Sequence, residues 1–252
     1  MMNYSKRLVL GVALLAIPRL ALAADNANDA TPPASSFSDQ FSFSGAASVT
    51  SDYAYRGVTQ NDEHVTPQLG VELAHDSGIY ASIWGSPVDF NDGDEARTEI
   101  DLSLGYRVDL NEKWSADARY TYYAYPGAAA SLDYDYSEIS FAAAYDFGHA
   151  KLGGFFGYSP NFFADSGEAE YIQAKLDVPL PYEFSLHAYL GKQYVDDNAA
   201  FGYPDTVDWN IGAGYTYNQI GLDLSYIDTN LKKSECADGC SSRIVGTVTY
   251  SF

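Results

Sequence analysis

Beyond its first two dozen residues, the 252-residue sequence has no run of about 18 apolar residues, so no later segment reads as a transmembrane helix. Cysteine is nearly missing, with two in the chain, which excludes a disulfide-dense scaffold. Histidine is scarce, and no Gly-x-Ser-x-Gly, His-Glu-x-x-His or phosphate-loop pattern occurs, so the common hydrolase and nucleotide signatures are absent. Basic residues are few as well: 14 Lys and Arg against 34 Asp and Glu, for a formal net charge of −20. That sign argues against nucleic acid as a partner and is compatible with cations, or with divalent ions bridging to anionic lipid. Disorder would explain such charge only in a chain poor in aromatics, and this one has 22 Tyr and 13 Phe. Most of the charge reads as solvated loop.

The N-terminus reads as a secretory signal. Lys6 and Arg7 form a basic head, residues 8–17 an apolar stretch, and Ala21-Leu22-Ala23 a small-residue cleavage site. Losing residues 1–23 removes three basic residues and leaves a net charge of about −23. Residues 24–40, with Pro32 and Pro33, read as a flexible leader, and residues 41–252 as one domain. In an oxidising compartment Cys236 and Cys240, in Cys-Ala-Asp-Gly-Cys, are expected to close a small loop tip. A two-thiol metal site is disfavoured because no His lies nearby in sequence. No metal or cofactor is expected.

From Phe41 to the last residue the chain alternates with period two. In 98–108, Ile100, Leu102, Leu104, Tyr106 and Val108 share one face, while Glu99, Asp101, Ser103, Gly105 and Arg107 share the other. The pattern recurs at 114–124, 137–146, 207–217 and 244–252, and less cleanly at 41–56, 67–75, 79–88, 151–159, 168–178, 183–192 and 220–228. This gives about twelve strands of about ten residues, the length a tilted strand needs to cross a bilayer. Connections alternate without exception. Long ones lie at 57–66, 89–97, 125–135, 160–167, 193–206 and 229–242, and short ones at 76–78, 109–113, 147–149, 179–182 and 218–219. A Greek-key sandwich would not sort its loops this way. The expectation is an all-β, antiparallel, up-and-down transmembrane barrel in a Gram-negative outer membrane, both termini periplasmic. Trp114, Tyr145, Tyr217, Tyr250 and Phe252 sit near strand ends, where interfacial girdles belong. Mean hydropathy is only −0.22, as expected when half of each strand faces water.

The polar face carries the candidate site. Asp52, Arg56, Glu72, Glu99, Asp101, Arg107, Asp117, Arg119, Glu138, Lys175, Asp177, Asp208 and Asp223 are expected to line the lumen. Across the hairpin 98–124, Asp101 is expected diagonal to Arg119, and Arg107 diagonal to Asp117. Such pairs either set a transverse field that sorts solutes by charge or are ladders that fill the lumen. Twelve strands fall between filled eight-stranded barrels and open sixteen-stranded ones. Acids outnumber bases, so a pore would prefer cations, helped by Asn61-Asp62-Glu63, the acidic run at residues 91–95 and Asp196-Asp197 at its mouth. The favoured function is therefore passive diffusion of small hydrophilic solutes, cationic or neutral. The alternative is a closed barrel with a structural or surface-binding role through its acidic loops. An enzyme is not expected: His64 beside Asp62 and Glu63, and His187 on the face of Ser185, are the nearest things to a base with a partner.

Ser51-Asp52-Tyr53-Ala54-Tyr55-Arg56-Gly57-Val58-Thr59-Gln60, Gly78-Ile79-Tyr80-Ala81-Ser82-Ile83-Trp84-Gly85-Ser86, and Glu99-Ile100-Asp101 with Gly105-Tyr106 resemble the TorF-type porins of proteobacteria, long a conserved family of unknown function. The likeness lies in the first half of the mature chain. It implies an outer-membrane barrel and no particular substrate. Asp52 and Arg56 are the charged residues of this hallmark, fit either for conduction or gating or for an ion pair that holds the first strand. The terminal Tyr250-Ser251-Phe252 resembles the C-terminal signature of outer-membrane proteins, which implies insertion by the barrel-assembly machinery. Lipid and lipopolysaccharide are the remaining expected partners, and the oligomeric state is left open.

Overall fold

The computed structural model of the protein describes residues 40–90, 96–236 and 239–252. The expected signal peptide, nearly all of the expected leader and the acidic run at 91–95 lie outside them. In chain order the strands are β1 (Phe41–Thr50), β2 (Ala54–Tyr55), β3 (Val58–Thr59), β4 (Thr66–His75), β5 (Ile79–Pro87), β6 (Thr98–Asp109), β7 (Trp114–Ala124), β8 (Tyr136–Asp146), β9 (Lys151–Ser159), β10 (Ala169–Pro179), β11 (Phe184–Val195), β12 (Thr206–Tyr217), β13 (Ile220–Thr229) and β14 (Arg243–Ser251). Two short helices, α1 (Asn198–Phe201) and α2 (Lys233–Cys236), lie in the last two long loops.

Twelve of the strands close on themselves. Each pairs antiparallel with its sequence neighbours, and β1 joins β14 to seal the ring, while β2 and β3 form a separate ribbon. The seam is finished by the last residue: Phe252 N–H donates to Gly45 O at 2.9 Å, and Phe252 O accepts from Gly45 N at 2.8 Å. Closure leaves no edge strand, which is the condition for a sheet in lipid.

Alternation decides which atoms face out. Leu102, Leu104, Ile139, Phe141, Ile172, Ile211, Leu224 and Val248 stand exposed on the outside, and Leu104 is 60% accessible. Their strand neighbours Glu99, Asp101, Glu138, Ser140, Gln173, Asp208 and Ser225 are buried inside. A barrel in water would place these two sets the other way round. At the short-turn end Trp114 and Tyr145 meet edge to face at 5.1 Å, and Lys113 lies over the Tyr145 ring at 5.8 Å, the mixed aromatic and cationic chemistry of a lipid–water boundary.

Two expectations need correction. The first strand does not run to residue 56: β1 ends at Thr50, and the chain turns inward. The register of β6 on β7 is also offset by two. Arg107 stands directly opposite Asp117, and Asp101 opposite Tyr123, so Asp101 and Arg119 are not diagonal neighbours. The cause is the turn. Asn111 Oδ1 accepts from Lys113 N at 2.9 Å and Trp114 N at 3.0 Å, while Leu110 and Asn111 both donate to Trp114 O, so β6 pairs one residue further, Asp109 with Ser115.

The apolar core is not in the barrel middle. It gathers at the long-loop end, where Val88, Phe90, Tyr125, Tyr134, Phe162 and Phe163 from three loops pack against Tyr123 and Tyr136 of the wall. Tyr134 and Phe163 stack at 4.2 Å, and Phe90 meets Tyr134 at 5.4 Å, so the loops cap the barrel. Cys236 and Cys240 are joined in a disulfide, Cα–Cα 5.9 Å, within the last long loop.

Candidate functional site

Beneath that cap, residues 51–61 form a hairpin that folds into the lumen. Thr50 Oγ1 donates to Asp52 O at 2.8 Å, and Ser51 N to Gly246 O at 2.9 Å, which turns the chain off the wall. Gln60 N then donates to Tyr53 O at 2.7 Å, and Tyr53 N to Asn61 Oδ1 at 3.0 Å, closing the ribbon of β2 on β3. At its tip Arg56 and Gly57 both have positive φ, +48° and +84°. A two-residue turn of this kind favours Asn-Gly, so Arg56 holds a conformation that costs about 1–3 kcal/mol and must be fixed by its contacts.

Those contacts reach most of the wall. Arg56 forms an ion pair with Glu138 on β8, with side chains 8% and 5% accessible, and lies 4.3 Å over the Tyr171 ring of β10 and 4.7 Å over Tyr55. Tyr55 meets Tyr123 of β7 edge to face at 6.2 Å and takes a bond from Tyr136 Oη at 3.4 Å. Tyr53 packs on Trp84 of β5 at 5.2 Å and donates to Glu99 Oε1 of β6 at 3.1 Å. Burial, with Glu99 and Asp101 beside it, pushes the Tyr53 phenol well above its usual pKa, so it stays a donor. On the far side Arg243 of β14 donates from Nε to Asp52 Oδ2 at 2.5 Å and from Nη1 to Gly57 O at 3.2 Å.

Gly57 lies against Thr229 of β13 and Asp208 of β12, where a Cβ would have no room. Gly57→Ala is therefore expected to destabilise the barrel by about 1–3 kcal/mol, from the positive φ and the overlap together, measurable as a lower denaturant midpoint in detergent. Gly191 serves the wall in a similar way: a Cβ there would meet the Tyr171 hydroxyl, which donates to both oxygens of Asp208 at 3.1 and 3.2 Å.

Below the hairpin, toward the short turns, the side chains of the lumen are more accessible. Arg107 binds Glu72 with two nitrogens at 3.2 and 3.3 Å, lies 3.4 Å from Asp117, and covers the Tyr80 ring at 4.4 Å. Its side chain is 35% accessible. Lys175 pairs with Asp177 at 3.2 Å. Ser225 donates to Asp223 Oδ1 at 2.6 Å and lies 3.0 Å from His187 Nε2. His187 thus meets Ser225 rather than Ser185. His64 faces Asn61 O at 3.1 Å rather than Asp62 or Glu63.

The charged lumen candidates all lie at inward-facing positions, but they divide into two groups. Asp52, Arg56, Glu99, Asp101, Glu138 and Asp208 surround the hairpin. Glu72, Arg107, Asp117, Arg119, Lys175, Asp177 and Asp223 line the vestibule below. Sequence reasoning did not single out Arg243, Tyr123, Tyr136 or Tyr171, although each has the inward parity of its strand. Among the described residues no group of three or more His, Cys, Asp or Glu converges as a metal site.

A family model described as a bacterial protein of unknown function, Gcw_chp, matches residues 34–252. No curated protein matches the chain. Among solved structures it is similar to the KdgM porin, with TM-score 0.59 and 8% identity over 83% of this chain and 99% of that one. It is also similar to the KdgM porin in complex with disordered oligogalacturonate, with TM-score 0.54 and 7% identity over 83% and 98%. The outer membrane protein OprD from Pseudomonas aeruginosa aligns at TM-score 0.42 and 14% identity over 85% and 65%. At these identities the KdgM likeness is one of fold.

Proposed function

The chain belongs to the bacterial Gcw_chp family of unknown function, and we propose that it is an outer-membrane porin whose conductance is set by the hairpin at residues 51–61. The observation that carries the reading is a closed, porin-like ring with an apolar outside and a polar lumen, narrowed at the long-loop end by an inward-folded hairpin beneath a cap of loops. The long-loop end then faces outward and the short turns the periplasm, as in outer-membrane barrels generally. The resemblance of residues 51–60 to TorF-type porins belongs to the same proposal, and so do export through a signal peptide and insertion by the assembly machinery.

The solutes are small and hydrophilic, with cations ahead of anions. Along the wall, Glu72, Glu99, Asp101, Asp117, Glu138, Asp177, Asp208 and Asp223 outweigh Arg107, Arg119, Lys151, Lys175 and Arg243. An anionic polymer such as the oligogalacturonate bound by KdgM would meet repulsion here. In planar bilayers under a salt gradient the refolded protein is expected to give small conductance steps with a reversal potential on the cation side. The preference should weaken at about 1 M salt, where screening reaches only about 3 Å. Anion preference would sink the selectivity claim.

A second reading is supported by the loop cap and by the hairpin's reach across β5, β6, β7, β8, β10 and β12 to β14: a closed barrel whose working surface is its acidic loops. Silence of the wild type and of a hairpin-deleted variant alike would favour it.

A further inference from the structure

The carboxylates around the hairpin are matched one by one, with an exception. Asp52 has Arg243, Glu138 has Arg56, and Asp208 has Tyr171. Glu99 and Asp101, two residues apart on the inward face of β6, are only 1% and 2% accessible, yet Glu99 Oε2 and both carboxylate oxygens of Asp101 have no hydrogen-bond partner. The cation on the neighbouring strand, Arg119, is held by the register opposite Gly105, four pairs further along β7, and makes no hydrogen bond to Asp101. Two adjacent buried anions cannot both persist without a counter-charge.

We propose that Glu99 and Asp101 form a cation station at the edge of the hairpin, taking a hard divalent ion of the calcium type. The donor chemistry selects the class: carboxylate oxygens, with no imidazole or thiolate, suit calcium, magnesium or manganese rather than zinc or copper. One divalent ion neutralises both carboxylates, which a monovalent ion does not. Two carboxylates are fewer than a structural metal cage needs, so an ion can also leave, as conduction requires. Tyr53, bonded to Glu99, places the station where the hairpin meets the wall. The inference rests on the pore reading for the route by which the ion arrives.

Terbium is the probe, because Trp84 stands opposite Asp101 in register and can sensitise its emission. Excited at the red edge of tryptophan absorption, the folded barrel should give saturable terbium luminescence that calcium displaces. Asp101→Asn and, separately, Glu99→Gln should lower it about tenfold or more, the change expected when one of two charged ligands is neutralised. Trp84→Phe should abolish the signal, and Glu112→Gln, at a turn on the opposite end, should leave it unchanged. If both amide variants fail to fold, the calcium competition and the Trp84→Phe comparison decide. No wild-type emission through Trp84, or equal emission from Asp101→Asn, would overturn the station and assign the pair a shared proton. Conductance recorded on the same samples keeps that failure separate from failure of the porin reading.

Discussion

Replacing residues 53–60 with a short Gly-Ser turn is expected to raise single-channel conductance several-fold. In the wild type those residues bring three aromatic or cationic side chains, Tyr53, Tyr55 and Arg56, into contact with strands on opposite sides of the ring. The side-chain bonds to Glu99, Glu138 and Arg243 are lost, but no hydrogen bond of the barrel's strand ladder is, because β2 and β3 pair only with each other. The barrel should therefore still fold, which heat-modified gel mobility and β-type circular dichroism would verify. Selectivity should shift too. The deletion removes Arg56 but leaves Glu138 and Asp208 on the wall, so the widened mouth gains uncompensated negative charge and its reversal potential moves further to the cation side. An unchanged conductance in a correctly folded variant would move the constriction to the loop cap and remove the hairpin from the mechanism.

The wall of this protein was legible because lipid and lumen impose opposite chemistries on alternate residues, so that Leu102, Leu104 and Tyr106 against Asp101, Ser103 and Gly105 already specify a two-faced strand. The hairpin was not. Residues 51–56 continue the alternation of β1, and Arg56-Gly57 lacks the Asn-Gly form that marks a tight turn, so the segment reads as more strand. Asp52 and Arg56 were expected inside and are inside, but they are carried there by a different element. Their partners could not be read at all: Glu138 lies 82 positions from Arg56, and Arg243 lies 191 from Asp52. Parity alone turns Arg243 and Tyr171 inward, yet which side chains meet across a lumen depends on hairpin register. One bifurcated turn at Leu110–Asn111 was enough to shift that register by two.

The Arg56–Glu138 pair should be the largest single contribution to holding the hairpin in place. Both side chains are under 10% accessible, so Glu138→Ala strands a guanidinium that burial and three rings keep from water. Breaking a buried pair from one side typically costs about 3–5 kcal/mol, and here the loss also releases the strained φ of +48° at Arg56. Glu138→Gln keeps an acceptor and should cost less, about 1–3 kcal/mol. Arg56→Gly and Arg56→Ala separate the turn from the charge. Both delete the cation and leave Glu138 buried, but glycine accepts a positive φ, so it should be less destabilising than alanine by about 1 kcal/mol. Equilibrium unfolding in detergent gives these differences, and bilayer recording gives the functional counterpart, since a hairpin freed from Glu138 should flicker between narrow and wide levels. If Glu138→Ala unfolds at the wild-type midpoint and conducts as the wild type does, the hairpin is held by its aromatic contacts, and Tyr55 and Tyr171 become the residues to remove next.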